Sequence, residues 1–353
     1  MINTIRQLIL ILSTAFVFVG FAQEKEKSYQ IGLIGFYNLE NLFDTIDDPT
    51  TIDEEFLPKG SYAWTSEKYN NKLLNMSEAI SRMGGKIAGQ EIRCPIVLGV
   101  SEIENSRVLE DLVAMPALKP YNFGVVHYDG PDRRGVDVGL LYQKDKFQLL
   151  GSRSVRLYDS VQPHFLTRDQ LVVTGIFMGD TIHVIVNHWP SRLGGERRSS
   201  PKREMAARLT RSIVDSLFAI NPKANVIVMG DLNDDPINKS VVTYMDAPKI
   251  TDPANLKPGQ MYNASYPIFK EGIGTLCYRD QWNLFDQIII SQNLTGKDRS
   301  SLKMLNYRIF NDNMLKQKDG RYNGYPLRTT AGGIYLNGYS DHFPVYLMMI
   351  KEK

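Results

Sequence analysis

The chain has 353 residues, of which 43% are hydrophobic and 23% are charged, and its formal net charge at pH 7 is +2. This composition is ordinary for a soluble globular protein, and the chain is long enough to bury a large core without disulfide bonds. The near-neutral charge excludes a protein whose whole surface attracts nucleic acid, so affinity for phosphate has to come from local clusters.

The N-terminal segment has the pattern of a secretory signal peptide. Arg6 is followed by an uncharged apolar run, and Gly20-Phe21-Ala22 precedes a polar stretch. We therefore predict a signal peptide over 1–22, one domain over 23–353, and export to the periplasm or the extracellular space. Because the uncharged stretch 7–23 is at the short limit for a spanning helix, an uncleaved anchor stays open as the alternative.

Short apolar runs and amphipathic stretches alternate along the rest of the chain. A strand over 31–37 opens the domain. Helices are predicted over 66–85 with Ser66 as N-cap, over 105–118, and over 201–220 with Pro201 near the start. Further runs with the pattern of strands cover 96–100, 122–130, 136–143, 147–157, 170–178, 181–189, 225–231, 283–291 and 343–350.

The order of these elements predicts the fold class. Several strands are consecutive and the βαβ alternation is irregular, which favours a mixed α/β sandwich with sheets inside and helices outside. The turn-rich segments 44–65 and 308–333 are predicted loops. The acidic residues of 44–55 are most simply a solvated loop, with a cation or lid role as the alternative. Pairing of Cys94 with Cys277 stays open, because two cysteines in a large exported domain are not a disulfide framework.

Polar residues follow several of the predicted strands at the point where each apolar run stops. A sandwich gathers strand ends at a common rim, and catalytic groups tend to lie on such scaffold-held loops. The clusters are Asn38 and Glu40; Ser101 and Glu102; Asn187, His188 and Trp189; Asp231 and Asn233; and Ser340, Asp341 and His342.

The residue types in these clusters indicate oxygen-ligated divalent metal chemistry. Asn, Asp and Glu oxygens suit Mg²⁺, Mn²⁺ or Ca²⁺, and the sequence has no HExxH, P-loop or GxSxG pattern. The stretch that starts at Asp231 is not an EF-hand calcium loop, because Pro236 and Val242 occupy the positions that need Gly and Glu.

In this order the clusters resemble those of the endonuclease/exonuclease/phosphatase superfamily, which has the deoxyribonuclease I-like fold. The matching stretches are "FYNLEN", "LGVSEIEN", "VNHWPS", "VMGDLND", "NLFDQIIIS" and "YSDHFPV", and they span residues 31–346. The resemblance implies a four-layer α/β sandwich, with two mixed β-sheets packed face to face and helices outside. It also implies that 23–353 is a single catalytic domain that hydrolyses phosphate esters with Mg²⁺, or with Mn²⁺ or Ca²⁺.

The resemblance carries roles onto individual residues. Glu102 is the expected principal metal ligand, with Asn38 beside it. Asp341 closes the metal site or orients its neighbour, and Glu40 is where some members have a second acidic ligand.

The expected catalytic groups are two imidazoles and an Asp–Asn pair. His342 is supported by Asp286, and His188 contacts the scissile phosphate with Asp137 as its supporting carboxylate. The pair, which orients or deprotonates the attacking water and binds the phosphate, is Asp231 and Asn233. Whether Asp231 or His342 is the general base stays open.

Three further residues beside His188 are candidates for substrate binding. These are Asn187, Trp189, which either stacks on a base or walls the site, and Arg192 of a basic loop. The alternative for that loop is a solvated charged surface.

The sequence therefore predicts an exported nuclease or phosphodiesterase that acts on nucleic acid by in-line attack of water. We expect a monomer without stable membrane insertion after signal cleavage. The alternatives are a phosphomonoesterase or a lipid phosphodiesterase, for which 264–269 is the candidate apolar hairpin. A non-catalytic binding module is disfavoured, since each expected catalytic position keeps its side chain.

Overall fold

The structure, a computed structural model, describes residues 27–87 and 89–353. The predicted signal peptide at 1–22 lies outside the described residues. The helices are α1 (Ser66–Arg82), α2 (Ser106–Ala114), α3 (Glu196–Ile220) and α4 (Tyr266–Lys270). The strands in chain order are β1 (Tyr29–Leu42), β2 (Gly84–Ile87), β3 (Gln90–Arg93), β4 (Val97–Ile103), β5 (Phe123–His127), β6 (Asp137–Gln143), β7 (Phe147–Val155), β8 (Gln170–Phe177), β9 (Asp180–His188), β10 (Asn225–Asp231), β11 (Met261–Asn263), β12 (Leu276–Tyr278), β13 (Gln281–Asn283), β14 (Asp286–Ser291), β15 (Lys303–Ile309), β16 (Thr330–Ala331), β17 (Ile334–Tyr335) and β18 (Val345–Glu352).

Most of the strands belong to one of two mixed sheets. The first has the order β15-β18-β1-β4-β6-β5 and the second the order β11-β14-β10-β9-β8-β7. In the first sheet β1 is parallel to β4 and antiparallel to β18. In the second, β10 is parallel to β9 and antiparallel to β14. The same pattern therefore occurs at the centre of both sheets.

The core has three apolar layers, which confirms the four-layer sandwich. The central layer joins the facing sides of the two sheets, for example Phe36 and Val97 with Val184 and Ile288. A second layer packs α1 and α2 on the outer face of the first sheet. A third packs α3 on the outer face of the second sheet. Burial of apolar side chains on both faces of each sheet explains why the strands read as continuous apolar runs.

The predicted helices form, but their first residues differ from the prediction. The N-cap of α1 is Thr65, whose hydroxyl accepts a hydrogen bond from the backbone N–H of Lys68, so Ser66 is the first helical residue. α3 begins at Glu196, ahead of Pro201. Arg203 donates a hydrogen bond to the carbonyl of Glu196, which ties the turn before the proline to the helix.

The predicted loop 44–65 is packed against the domain. The rings of Phe43 and Phe56 stack with centroids 4.3 Å apart, and the indole of Trp64 donates to the carbonyl of Phe43. Asp44 and Asp53 are buried, so the simple interpretation of this acidic run as a solvated loop is wrong at those two positions.

The two cysteines are separate free thiols, and only Cys94 is buried. Among the helices of the described residues, none is both long and apolar enough to span a bilayer.

Gly230 lies inside β10, opposite Asn187 in β9 and Gln287 in β14. A Cβ atom here would lie 2.2 Å from the carbonyl oxygen of Asn187. Glycine is therefore required by close packing of neighbouring strands. The chain does not turn at Gly230, because β10 continues to Asp231.

Candidate active site

One rim of the sandwich collects the predicted polar clusters. It is formed by the carboxyl ends of β1, β4, β9 and β10 and by the start of the antiparallel strands β14 and β18. Asp231 is paired in register with His188 on one side and with Asp286 on the other. The sheet register alone therefore places three candidate groups side by side.

Asn38 connects the two sheets across this rim. Its Nδ2 donates to Oε1 of Glu102 and to Oδ2 of Asp231, both at 3.1 Å. The other carboxylate oxygen of Glu102 accepts from the backbone N–H of Asn41 at 3.1 Å. The hydroxyl of Ser340 donates to the carbonyl of Asn38 at 2.7 Å. Asn38 is thus held so that it aligns one carboxylate from each sheet.

The backbone is strained at four residues of this rim. The angle φ is 48° at Glu40, 53° at Asn41, 57° at Glu102 and 51° at Asn233, which is the left-handed region that non-glycine residues rarely adopt. Such strain persists when the surrounding structure imposes it, and it is concentrated at functional sites. At Glu102 the pairing of β4 with β6 shifts register, which turns its carboxylate toward the rim.

His342 and Asp286 form a buried dyad. Nδ1 of His342 lies 2.6 Å from Oδ2 of Asp286, and Nε2 lies 3.9 Å from Oδ2 of Asp231. Burial lowers the pKa of His342, but the carboxylates of Asp286, Asp341 and Asp231 outweigh burial and raise this pKa well above its ordinary value. The imidazole is therefore a cation at neutral pH.

His188 has the opposite electrostatic environment. Its Nε2 lies 3.8 Å from Oε1 of Glu102 and 3.7 Å from Oδ2 of Asp231. Burial and the nearby cations Arg168 and Arg134 lower the pKa of His188 well below its ordinary value. The two imidazoles of the site therefore differ in charge: His188 is neutral.

Asp137 does not support His188 in this structure. Its Oδ2 lies 3.3 Å from Nε2 of His127 and accepts from the backbone N–H of Gly130. Nδ1 of His188 is buried without a hydrogen-bond partner among the described residues. The expected Asp137–His188 pair is wrong, because Asp137 is opposite Ile103 at the start of β6 and contacts the β5–β6 hairpin instead.

Asp231 and Asn233 are the second expected pair. Burial raises the pKa of Asp231 to about 7, although the charge of His342 acts to lower it. Asn233 donates its backbone N–H to Oδ1 of Asp231 at 2.9 Å, and its amide group donates to the carbonyl of Trp189. Asn233 thus orients Asp231 while its own amide N–H is used within the protein.

Glu40 and Asp341 are joined by Arg328. The Arg328 guanidinium donates from Nε to Oε1 of Glu40 at 3.2 Å and from a terminal nitrogen to Oδ2 of Asp341 at 2.9 Å. Glu40 is buried and also accepts from the backbone N–H of Thr329 at 2.6 Å. Burial and the charge of Asp341 raise the pKa of Glu40 to about 7. Both carboxylates are therefore paired with Arg328, while the other oxygen of Asp341, Oδ1, lies 3.9 Å from Nε2 of His342.

The polar groups of the predicted substrate-binding residues bond to other groups of the protein. The Trp189 side chain is buried, and its Nε1 donates to Oδ1 of the buried Asn187 at 3.1 Å. Arg192 donates to the carbonyl of Asn233 and forms ion pairs with Asp234 and Asp235. A buried indole is not available to stack on a base, and Arg192 anchors the loop that follows Asp231.

The chain matches the model of the endonuclease/exonuclease/phosphatase family over residues 33–351. It belongs to that family. No curated protein sequence matches the chain. Solved structures with the same fold include a D. rerio TDP2 humanised by 14 mutations, which is 15% identical, with 90% of this chain and 98% of that chain covered and a TM-score of 0.53.

Two structures from Bacteroides thetaiotaomicron are similar to the same extent. One is an endonuclease/exonuclease/phosphatase family protein that is 16% identical, with 92% and 97% of the two chains covered and a TM-score of 0.52. The other is a mannosyl-6-phosphatase that is 15% identical, with 90% and 99% covered and a TM-score of 0.51. At these identities the comparison shows the shared fold.

Members of the endonuclease/exonuclease/phosphatase family are metal-dependent hydrolases of phosphate esters, and this chain is one of them. The residues at the rim fit a divalent cation. One ligand atom each from Glu102, His188 and Asp231 lies within 4.8 Å of the other two. The Glu102 carboxylate is 21% exposed, so a cation can reach it from solvent.

Two arginines next to this site were not predicted from the sequence. Arg168 is buried and donates to the backbone carbonyls of His188 and Trp189, at 3.1 and 2.6 Å. Arg328 lies in a segment that was predicted as a loop. The charged pair Arg168-Asp169 before the strand 170–177 was a usable signal for Arg168, since polar residues next to strands identified the other groups. Arg328 had no comparable signal.

Proposed function

We propose that the protein is an exported, Mg²⁺-dependent nuclease or phosphodiesterase that hydrolyses nucleic-acid phosphodiester bonds by in-line attack of water. The observation that carries this proposal is the position of Asp231. Its Oδ2 lies 3.1 Å from Nδ2 of Asn38, 3.7 Å from Nε2 of His188 and 3.9 Å from Nε2 of His342. The Asp231 carboxylate is thus surrounded by side chains that can contact both the attacking water and the leaving oxygen of a phosphodiester.

In this proposal Asp231 is the general base and His342 the cationic acid. A base is most effective when its pKa is near the working pH, and burial gives Asp231 a pKa of about 7. His342 is cationic, so it can donate a proton to the leaving oxygen or stabilise charge on the phosphate. The sequence left the choice of general base open between Asp231 and His342, and this proposal assigns it to Asp231.

His188 and Asn38 have positioning roles in the same proposal. The neutral His188 directs Nε2 toward the carboxylates and can donate a hydrogen bond to a non-bridging phosphate oxygen. Glu102 would hold Mg²⁺, which when bound would supply positive charge to the phosphate and leaving oxygens. Asn38 would orient the Glu102 and Asp231 carboxylates through its amide N–H groups, because its Oδ1 accepts from the backbone N–H of Glu40. Asn233 keeps Asp231 in one rotamer through the bond from its backbone N–H.

Nucleic acid is the proposed substrate because exposed cations lie in the first turn of α3, which follows the loop after His188. Arg197 and Arg198 are exposed and form no salt bridge within the described residues. Such cations suit a second phosphate of a polynucleotide. A neighbouring solved structure is a D. rerio TDP2 complexed with a single-strand DNA product.

A phosphomonoesterase is the second candidate, and the burial of Trp189 favours it. With Trp189 and Arg192 occupied inside the protein, the rim offers fewer contacts to a polymer than the sequence predicted. The lipid alternative loses its candidate hairpin, because 264–269 contains buried Ala264 and Ser265 and leads into the short helix α4.

An activity panel on purified protein tests these assignments. Plasmid DNA, RNA, a phosphodiester dye and a phosphomonoester dye are compared with Mg²⁺, with Mn²⁺ and with EDTA, and E102Q is the matched inactive control. We expect cleavage of nucleic acid that needs metal and is lost in E102Q. Monoester hydrolysis without nucleic-acid cleavage would reject the nuclease assignment, and activity in EDTA would reject the metal mechanism.

A further inference from the structure

A second group of metal-ligating side chains lies outside the catalytic centre, on the β5–β6 hairpin. His127, Asp129 and Asp137 each contribute one ligand atom, and these atoms lie within 4.8 Å of one another. The hairpin joins β5 to β6 in the first sheet, and Asp137 is opposite Ile103, the residue after Glu102. The group is therefore next to the catalytic rim but does not share its ligands.

The two inner members of this group are buried and close together. The side chains of His127 and Asp137 are 3% and 7% exposed, and Nε2 lies 3.3 Å from Oδ2. Despite this distance, Nε2 of His127 has no hydrogen-bond partner within residues 27–87 and 89–353. Burying a polar nitrogen without a partner is unfavourable, so this atom is available to bind a ligand.

Asp129, the outer member of the group, can be reached by ions from solvent. The Asp129 carboxylate is 90% exposed, and its Oδ1 lies 3.7 Å from Nδ1 of His127. The exposed Asp129 carboxylate has an oxygen within 4.8 Å of the ligand atoms of His127 and Asp137, so it can reach an ion that this buried pair holds. The backbone N–H of Gly130 donates to Oδ2 of Asp137 at 3.0 Å and fixes the orientation of the inner carboxylate. Outer hydrogen bonds of this kind orient metal ligands.

The surroundings of the group are strongly acidic. Asp129 and Asp137 line a cavity of about 670 Å³, together with Asp47, Asp48 and Glu110. Arg107 is the basic residue of the lining, and it is already near Asp44, with 3.7 Å between Nη1 and Oδ2. A cavity with this charge attracts cations from solvent.

We propose that His127, Asp129 and Asp137 form a second metal site that binds a divalent transition-metal ion such as Zn²⁺. One imidazole nitrogen with two carboxylates suits Zn²⁺ or Mn²⁺, whereas Mg²⁺ and Ca²⁺ prefer all-oxygen sites. Three protein ligands leave coordination positions open, as in sites that also bind water or a substrate oxygen. The bound ion joins the end of β5 to the start of β6.

Metal uptake by untagged protein tests this site without reference to activity. Metal-free wild type, H127Q and E102Q are titrated with Zn²⁺ by calorimetry, and bound zinc is counted after desalting. Co²⁺ absorption serves as a second probe of nitrogen–oxygen ligation. We expect H127Q to take up one Zn²⁺ fewer than the wild type, whereas E102Q keeps the His127 site. The failure of this site is therefore distinguishable from failure at the catalytic centre.

Two further variants test whether a loss of zinc uptake in H127Q comes from the site or from a loss of folding. D129N changes an exposed side chain and should fold; we expect its Zn²⁺ affinity at this site to fall about tenfold or more. H183Q is the matched histidine control, because His183 lies on β9 and contacts Thr174 instead. Unchanged zinc uptake in both H127Q and D129N, or equal loss in H183Q, would overturn the proposal.

Discussion

Nδ1 of His342 and Oδ2 of Asp286 are 2.6 Å apart in the interior of the protein, although Asp286 lies in the second sheet and His342 lies just before a strand of the first sheet. Asp286 begins β14 and His342 precedes β18, so the dyad joins the two halves of the sandwich at the catalytic rim. The contact fixes the ring orientation and favours the imidazolium form.

The first prediction concerns D286N. Asp286 is the leading charge that raises the pKa of His342 against the effect of burial, so the variant should lower that pKa. If His342 acts as the acid, the active form is lost as pH rises through its pKa. The alkaline limb of the kcat/KM profile should therefore move to lower pH, and kcat should fall roughly 10²-fold or more.

Y307F is the control for D286N. The Tyr307 hydroxyl donates to the backbone carbonyl of Asp286 at 3.0 Å and does not touch the carboxylate. Its alkaline limb should stay where it is in the wild type. An unchanged alkaline limb in D286N would show that His342 is not the titrating acid.

The second prediction concerns the Arg328 bridge. R328Q removes a cation that is paired with buried Glu40, so an uncompensated carboxylate is left behind. Because the guanidinium is 46% exposed, we expect a loss of only about 1–3 kcal/mol in unfolding free energy. Adding E40Q should restore most of that loss, since both partners are then neutral.

The readout is a double-mutant cycle in urea. A coupling free energy between R328Q and E40Q of roughly 0.5 kcal/mol or more is expected for residues in contact. Additive effects of the two changes would contradict the bridge. E110Q, at an exposed carboxylate elsewhere, should show no coupling with R328Q.

How far the sequence could predict this site depends on sheet register. Asp231, His188 and His342 were predictable, because polar residues next to apolar runs indicate strand ends and strand ends share a rim. The role of Asp286 came from the family resemblance. The partner of Asp137 was not predictable. The shift in pairing beside Glu102 and the conformation of the hairpin decide that Asp137 contacts His127, and neither is encoded in a strand pattern.

The sequence also could not predict which polar residues next to the site are buried and paired. Asp234 follows the pair Asp231 and Asn233 in the sequence, yet it is buried and pairs with Nε of the buried Arg203 at 2.7 Å. Asn187 and His188 end β9 and Trp189 follows it, yet Asn187 and Trp189 pack inward. Which of three consecutive residues faces the rim depends on packing against α3, through contacts that join residues far apart in the chain.

The third prediction tests the buried position of Trp189. W189F should lower the unfolding free energy by about 1–2 kcal/mol, because the bond to Asn187 is lost, while KM for an oligonucleotide stays unchanged. W282F is the matched control, since Trp282 is 39% exposed. Its removal should abolish most acrylamide quenching of the tryptophan fluorescence. If W189F raised KM and left stability unchanged, the result would support stacking of Trp189 on a substrate base.

The fourth prediction concerns Glu104, a buried carboxylate beside the acidic cavity. Burial raises its pKa to about 7, partly opposed by the hydrogen bond from the backbone N–H of Asp44. Because the folded state then holds a proton that the unfolded state releases at lower pH, stability falls as pH rises from 4.5 to about 7. E104Q removes this penalty and should be more stable than the wild type at about pH 8.

The expected gain is on the order of 1–2 kcal/mol, less than the full pKa shift implies, because the glutamine that replaces Glu104 is itself a buried polar side chain. It should shrink to near zero below about pH 4, where the wild-type carboxyl is protonated in both the folded and the unfolded state. E110Q is the matched control, because Glu110 lines the same cavity but is exposed, so its stability should follow the wild type at both pH values. Chemical unfolding of the three proteins at the two pH values measures the difference. A gain for E104Q that did not depend on pH would show that its cause is packing and not the ionisation of Glu104.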